Sequence, residues 1–142
     1  MLFGKKKPDS KTLLVLDVEQ GSVGSTLVRL TPGEPPKLFG ETRVAPRVLP
    51  TRDSRALLHE ASEGVREALS HAAEVASRLR NAAGGSDSLR EAGRLSHAAV
   101  FLGAPWGTPS FSSDTPMFLA PMGKIIESTI EEIFGVLPHS LY

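Results

Sequence analysis

LLVLDVEQGSVGSTLVRL, running from Leu13 to Leu30, is the stretch whose reading decides the fold. It opens on an apolar run, Leu13 to Leu16, that ends at a carboxylate, Asp17. A small turn follows at Gln20-Gly21-Ser22-Val23-Gly24, and a second β-type run goes from Ser25 to Leu30. The pattern predicts a strand over Leu13–Val18, a tight turn and a returning strand. Turns of Gly and Ser leave backbone N–H groups exposed, and such groups hold anions. The carboxylate beside them cannot bind phosphate directly, but it can hold a hydrated Mg²⁺ that does. A plain β-hairpin with no ligand satisfies the same pattern.

Outward from the hairpin, Thr31-Pro32-Gly33-Glu34-Pro35-Pro36 allows neither helix nor ladder and reads as a turn. Lys37–Val44 is a third strand, with Leu38, Gly40, Thr42 and Val44 on one face and Lys37, Phe39, Glu41 and Arg43 on the other. Together these make a three-stranded antiparallel meander. Upstream, residues 1–12 are polar, carry Lys5, Lys6 and Lys7 in a row, and read as a flexible basic tail. Such a tail is either solvated or weakly drawn to anionic lipid headgroups.

Downstream, Pro46 and Pro50 mark a connection. From about Arg52 to Arg80, Leu58, Ala61, Val65, Leu69, Ala72, Ala76 and Leu79 recur at steps of three and four. That stripe predicts a long amphipathic helix. Thr51 or Asp53 can cap its start, and Gly84-Gly85 suits its end. The helix packs on the sheet or joins a coiled coil, and its alanine content favours close packing on the sheet. Residues 81–94 read as a loop with one turn of helix at Ser88–Ala92. His97-Ala98-Ala99-Val100-Phe101-Leu102, inside a strand from Ser96 to Gly103, suits a central strand covered on both faces. A strand reached through a helix runs parallel to its neighbour, so this one ends on the same edge as Asp17. Residues 104–115 read as a loop, Met117–Ala120 as a short strand, and Met122–Phe134 as a second amphipathic helix ended by Gly135.

Composition narrows the function classes. The 142 residues suit one domain that can bury roughly two-thirds of its unfolded surface. Sixteen basic and sixteen acidic residues balance, which argues against a broad nucleic-acid-binding surface. With no cysteine, disulfides and thiolate metal sites are excluded. No apolar run approaches the roughly 20 residues that span a bilayer, so a cytoplasmic protein without a transmembrane segment is expected. A nucleophilic serine is not signalled, because no G-x-S-x-G is present and His139 has no partner placed by sequence.

The opening stretch resembles the first phosphate-binding motif of the actin-like ATPase superfamily, which includes DnaK-type chaperones, sugar kinases, the cell-division protein FtsA and the pilus-assembly protein PilM. Leu16, Asp17 and Val18 match that motif, and Gly21, Ser22, Val23 and Gly24 suit its later part. Glu19 stands where the family has Gly. Leu2-Phe3-Gly4-Lys5-Lys6-Lys7 before the first strand, and Pro105-Trp106 followed by Gly107-Thr108, are similar to segments of the pilus- and division-type members. The resemblance implies an α/β, ribonuclease-H-like or actin-like subdomain: a three-stranded meander extended by a parallel strand, with one long and one short helix. Residues 13–142 would form this first subdomain.

The same resemblance implies binding of ATP and Mg²⁺, with Asp17 orienting metal-bound water and Gln20, Gly21, Ser22 and Val23 cradling phosphate. It implies protein partners at the cytoplasmic face of the inner membrane, and self-association. No second D-x-G loop follows in these 142 residues, so the chain looks like the front of a longer protein and is not expected to hydrolyse ATP alone. Glu19 adds a charge that, at about 4 Å from phosphate and an effective dielectric of about 20, costs roughly 4 kcal/mol, and less if Mg²⁺ lies between them or Glu19 points away. The alternative is a nucleotide-free module on the same fold that binds proteins by a sheet edge or a helix face.

Overall fold

The computed structural model describes residues 9–19, 21–45, 53–82, 84–85, 87–103 and 119–135. Its elements are β1 (Lys11–Val18), β2 (Val23–Leu30), β3 (Lys37–Val44), α1 (Ser54–Arg80), α2 (Asp87–Ala92), β4 (His97–Leu102) and α3 (Leu119–Phe134). The architecture is α/β, with one mixed four-stranded sheet in the order β3-β2-β1-β4. β1, β2 and β3 form the expected antiparallel meander, and β4 lies parallel to β1.

Period-two burial decides which face of the sheet is inside. Leu14, Leu16 and Val18 of β1, Val23 and Leu27 of β2, and Ala98 and Val100 of β4 are buried together. α1 covers that face, touching β2 and β3 most extensively. Its stripe is the one expected, from Ala61 through Val65, Leu69, Ala72 and Ala76, and Ala68 and Val75 widen it. The Ser25 hydroxyl donates to the Ala68 carbonyl at 2.8 Å, locking β2 to α1. α3 lays Met122, Ile126 and Ile130 into the same core. Arg66 on α1 holds the carboxylate of Glu132 on α3 through both fork nitrogens, each at 3.1 Å.

Several boundaries differ from expectation for local reasons. Lys11 and Thr12 belong to β1, not to the tail, and Thr12 is buried beside Arg29, which donates to its hydroxyl at 3.0 Å. Arg29 also pairs with Glu91 at 3.2 Å, which ties α2 to the meander. α1 begins at Ser54, where the Asp53 side chain accepts from the Arg55 N–H. It ends at Arg80 with Asn81 as cap, ahead of the glycine pair. Leu119 and Ala120 lie in the first turn of α3 rather than in a strand. Pro121 is tolerated there because first-turn N–H groups have no helical partner anyway.

Two corrections concern the sheet. β4 is an edge strand among the described residues, not a central one, and Phe101 is 60% exposed on its outer face. In β3 the faces change partway. β2 advances from Ser25 to Leu27 while β3 goes from Thr42 to Phe39, so β3 holds an extra residue. Gly40, at φ 61°, takes that bulge. Phe39 therefore joins Val44 against the core, and Leu38 turns outward at 60% exposure.

Candidate functional site

Register builds the site. Asp17 lies opposite Gly24 across β1 and β2, and Gly24 lies opposite Arg43 across β2 and β3. Phe101 of β4 flanks Asp17 on the other side. Asp17, Arg43 and Phe101 thus share one row on the face of the sheet away from α1. Strands are spaced by about 4.8 Å, so Arg43 must reach across two spacings to touch Asp17. Gly24 leaves that path open. A Cβ on Gly24 would stand 2.8 Å from Arg43 Nη2, closer than real contacts permit.

The reach is completed. Arg43 Nη2 pairs with Asp17 Oδ2 at 2.8 Å. Arg43 Nη1 donates to Ser22 Oγ at 2.7 Å. One guanidinium therefore holds both the end of β1 and the turn that follows it. The turn closes tightly: the Glu19 N–H donates to the Ser22 carbonyl at 2.9 Å, below the Val18–Val23 pair.

β4 ends at the same place. The Gly103 N–H donates to the Val18 carbonyl at 2.8 Å. A Cβ on Gly103 would lie 3.2 Å from Glu19 Cγ, so the Glu19 side chain runs toward the end of β4. The hydrogen bond to Asp17 raises the Arg43 guanidinium above its ordinary value, and the charges of Asp17, Glu19 and Glu41 add to it. One cation thus faces three carboxylates. Beside the pair, Val15, Thr26, Glu41 and Thr42 line a shallow groove of about 130 Å³. Whole small-molecule sites run to roughly 300–1,000 Å³, so the groove suits a single polar group.

Of the residues singled out by sequence, Asp17 stands at the end of β1, and Gly21 and Ser22 form the turn. Val23 pairs with Val18 inside β2, two residues before the expected strand start, and its side chain is fully buried. Gln20 and the Pro105-Trp106 segment lie outside the described residues. Arg43 went unread as a site residue. Its signal was present in the hairpin register, which sets a bare glycine between an acid and a base.

A divalent ion does not fit this donor set as it stands. The hydrated ion expected here relies on one carboxylate, and Asp17 Oδ2 already carries the Arg43 guanidinium. The described residues hold no cluster of three or more His, Cys, Asp or Glu either. Among those residues, too, no helix is long and apolar enough to cross a membrane. No family model and no curated protein matches the chain.

Proposed function

We propose that this chain is the N-terminal part of an actin-like nucleotide-binding protein. The type is that of pilus assembly (PilM-like) or cell division (FtsA-like), working with protein partners at the cytoplasmic membrane face. The fold proposed is the ribonuclease-H-like one, of which the meander, the long helix and the parallel β4 are the parts. One observation carries the reading: β1 and β4 run parallel and end together, with Asp17 near the end of β1 and the turn of Gly21 and Ser22 just beyond. In α/β sheets, ligands bind outside the carboxyl ends of parallel strands where the connections diverge. β1 passes from this end into the hairpin to β2.

The ligand proposed is ATP, with its phosphates toward residues 21–24 and the guanidinium of Arg43. The groove supplies one wall of a site, so binding by this chain is weak. Titrating ¹⁵N-labelled chain with ATP tests the reading. Shifts are expected at Asp17, Gly21, Ser22, Gly24, Arg43 and Gly103. Shifts confined to other parts of the chain, or none at millimolar ATP, would remove it.

A second reading is a nucleotide-free interaction module. It draws on Leu38 and Phe101, both 60% exposed on the outer face of the sheet. They stand on β3 and β4, the two edge strands among the described residues, so each offers a separate apolar contact at a sheet edge. Retained partner capture by a chain that binds no ATP would favour it.

A further inference from the structure

We infer that Arg43 stands beside Asp17 in the place that the family resemblance gives to a divalent metal ion, and that the native chain recruits no such ion there. The inference goes beyond the nucleotide reading and does not need ATP to bind. Three features of the fold converge on it. Asp17 is paired at 2.8 Å by a guanidinium, which keeps its charge at every working pH. The same guanidinium is pinned by Ser22 at 2.7 Å, so it is fixed at two points. Gly24 has no side chain where a Cβ would strike Nη2, so the arginine crosses β2 without being pushed aside.

A dication at Asp17 would stand next to that positive charge. It must also displace a charge-assisted hydrogen bond, a modest barrier because both partners are partly exposed. What remains near the pair is Glu19 and Glu41, whose charges act on Arg43. A hydrated ion would therefore depend on Asp17, whose Oδ2 the guanidinium already holds. A phosphate arriving at this turn is therefore met by guanidinium N–H groups rather than by metal-bound water. Arginine suits that task, since its planar fork matches phosphate geometry.

Mn²⁺ is the probe, because it takes the same oxygen ligands as Mg²⁺ and broadens nearby resonances even when weakly bound. In ¹⁵N-labelled wild-type chain, millimolar Mn²⁺ is expected to leave Asp17, Ser22 and Gly24 unbroadened. Arg43→Gln should produce selective broadening at those residues. Arg43→Lys, which keeps the charge, should stay silent. Each variant is first checked for a native-like amide spectrum. If Arg43→Gln is misfolded, Ser22→Ala, which removes only the second anchor, replaces it and should show partial broadening. Wild-type broadening that Asp17→Asn abolishes would overturn the inference. So would silence in a folded Arg43→Gln chain. ATP titrated in excess chelator separates this from the nucleotide reading. Shifts at the turn without metal support both, whereas no shifts with or without metal sink the nucleotide reading alone.

Discussion

Gly40 lies against the side chain of Val75, with no room for a Cβ between β3 and α1. The contact sits where the bulge changes the faces of β3, so one residue supplies the positive φ, the extra length and the close approach. Gly40→Ala is expected to destabilise by about 2–4 kcal/mol, combining left-handed strain with overpacking. Gly33, at φ 78° with open space around it, isolates the first part. Gly33→Ala should cost only about 1–2 kcal/mol. Equal losses in urea unfolding would mean that α1 does not press on the bulge.

Leu69 is fully buried under the sheet, whereas Arg66 is exposed on the same helix. Leu69→Asp places a carboxylate in that core with no partner and should cost about 4 kcal/mol or more. Arg66→Asp should be much milder but not silent, because it sets a like charge against Glu132. Pairing it with Glu132→Lys should recover most of the loss. Thermal unfolding of the single and double variants checks this. No recovery would show that the α1–α3 tie contributes nothing.

The hairpin and both long helices were legible because their signals are local. Asp17 ends an apolar run, Gly21 and Ser22 follow at once, and Leu58 to Leu79 keep one period throughout. β3 was misread because strict alternation cannot carry across a bulge, although Gly40 inside a strand was the available warning. β4 was misplaced because an apolar run reports burial preference, not how many neighbours pair with it. The site was half legible for a related reason. Asp17 and Arg43 are 26 residues apart, and only the two registers through Gly24 bring them together.

Acid should loosen the junction of α1 and α3. The hydrogen bond from Arg66, with its charge, holds the Glu132 carboxyl below the usual carboxylate range. A depressed folded value means that the unfolded chain takes up the proton first. The contribution is therefore complete above the unfolded value, about 4.3, and is lost as pH falls through the lower folded one. Glu132→Gln should remove this part of the dependence. Unfolding midpoints of the two chains should converge as pH drops below about 4. Parallel curves through that range would sink the assignment.

Phosphoryl transfer needs phosphate, attacking water and charge stabilisation held in one closed site. The described residues offer an open groove of about 130 Å³ on the outer face of β1, β2 and β3 beside Asp17, with Glu41 along the wall, and Glu19 lies nearby against Gly103. No D-x-G occurs anywhere in the sequence to close it from the other side. The 142-residue chain is therefore expected to release phosphate from ATP no faster than a buffer control, and to bind ATP at best in the millimolar range. Binding should respond to charge at this turn. Arg43→Ala removes the cation proposed to face the phosphates and should weaken binding about tenfold or more. Glu19→Gly removes a repulsive charge and should strengthen it severalfold, less at high salt because the site is exposed. Amide shifts on titration measure both, and a phosphate-release assay measures turnover. Tight ATP binding that ignores both substitutions would put the nucleotide somewhere other than the end of β1.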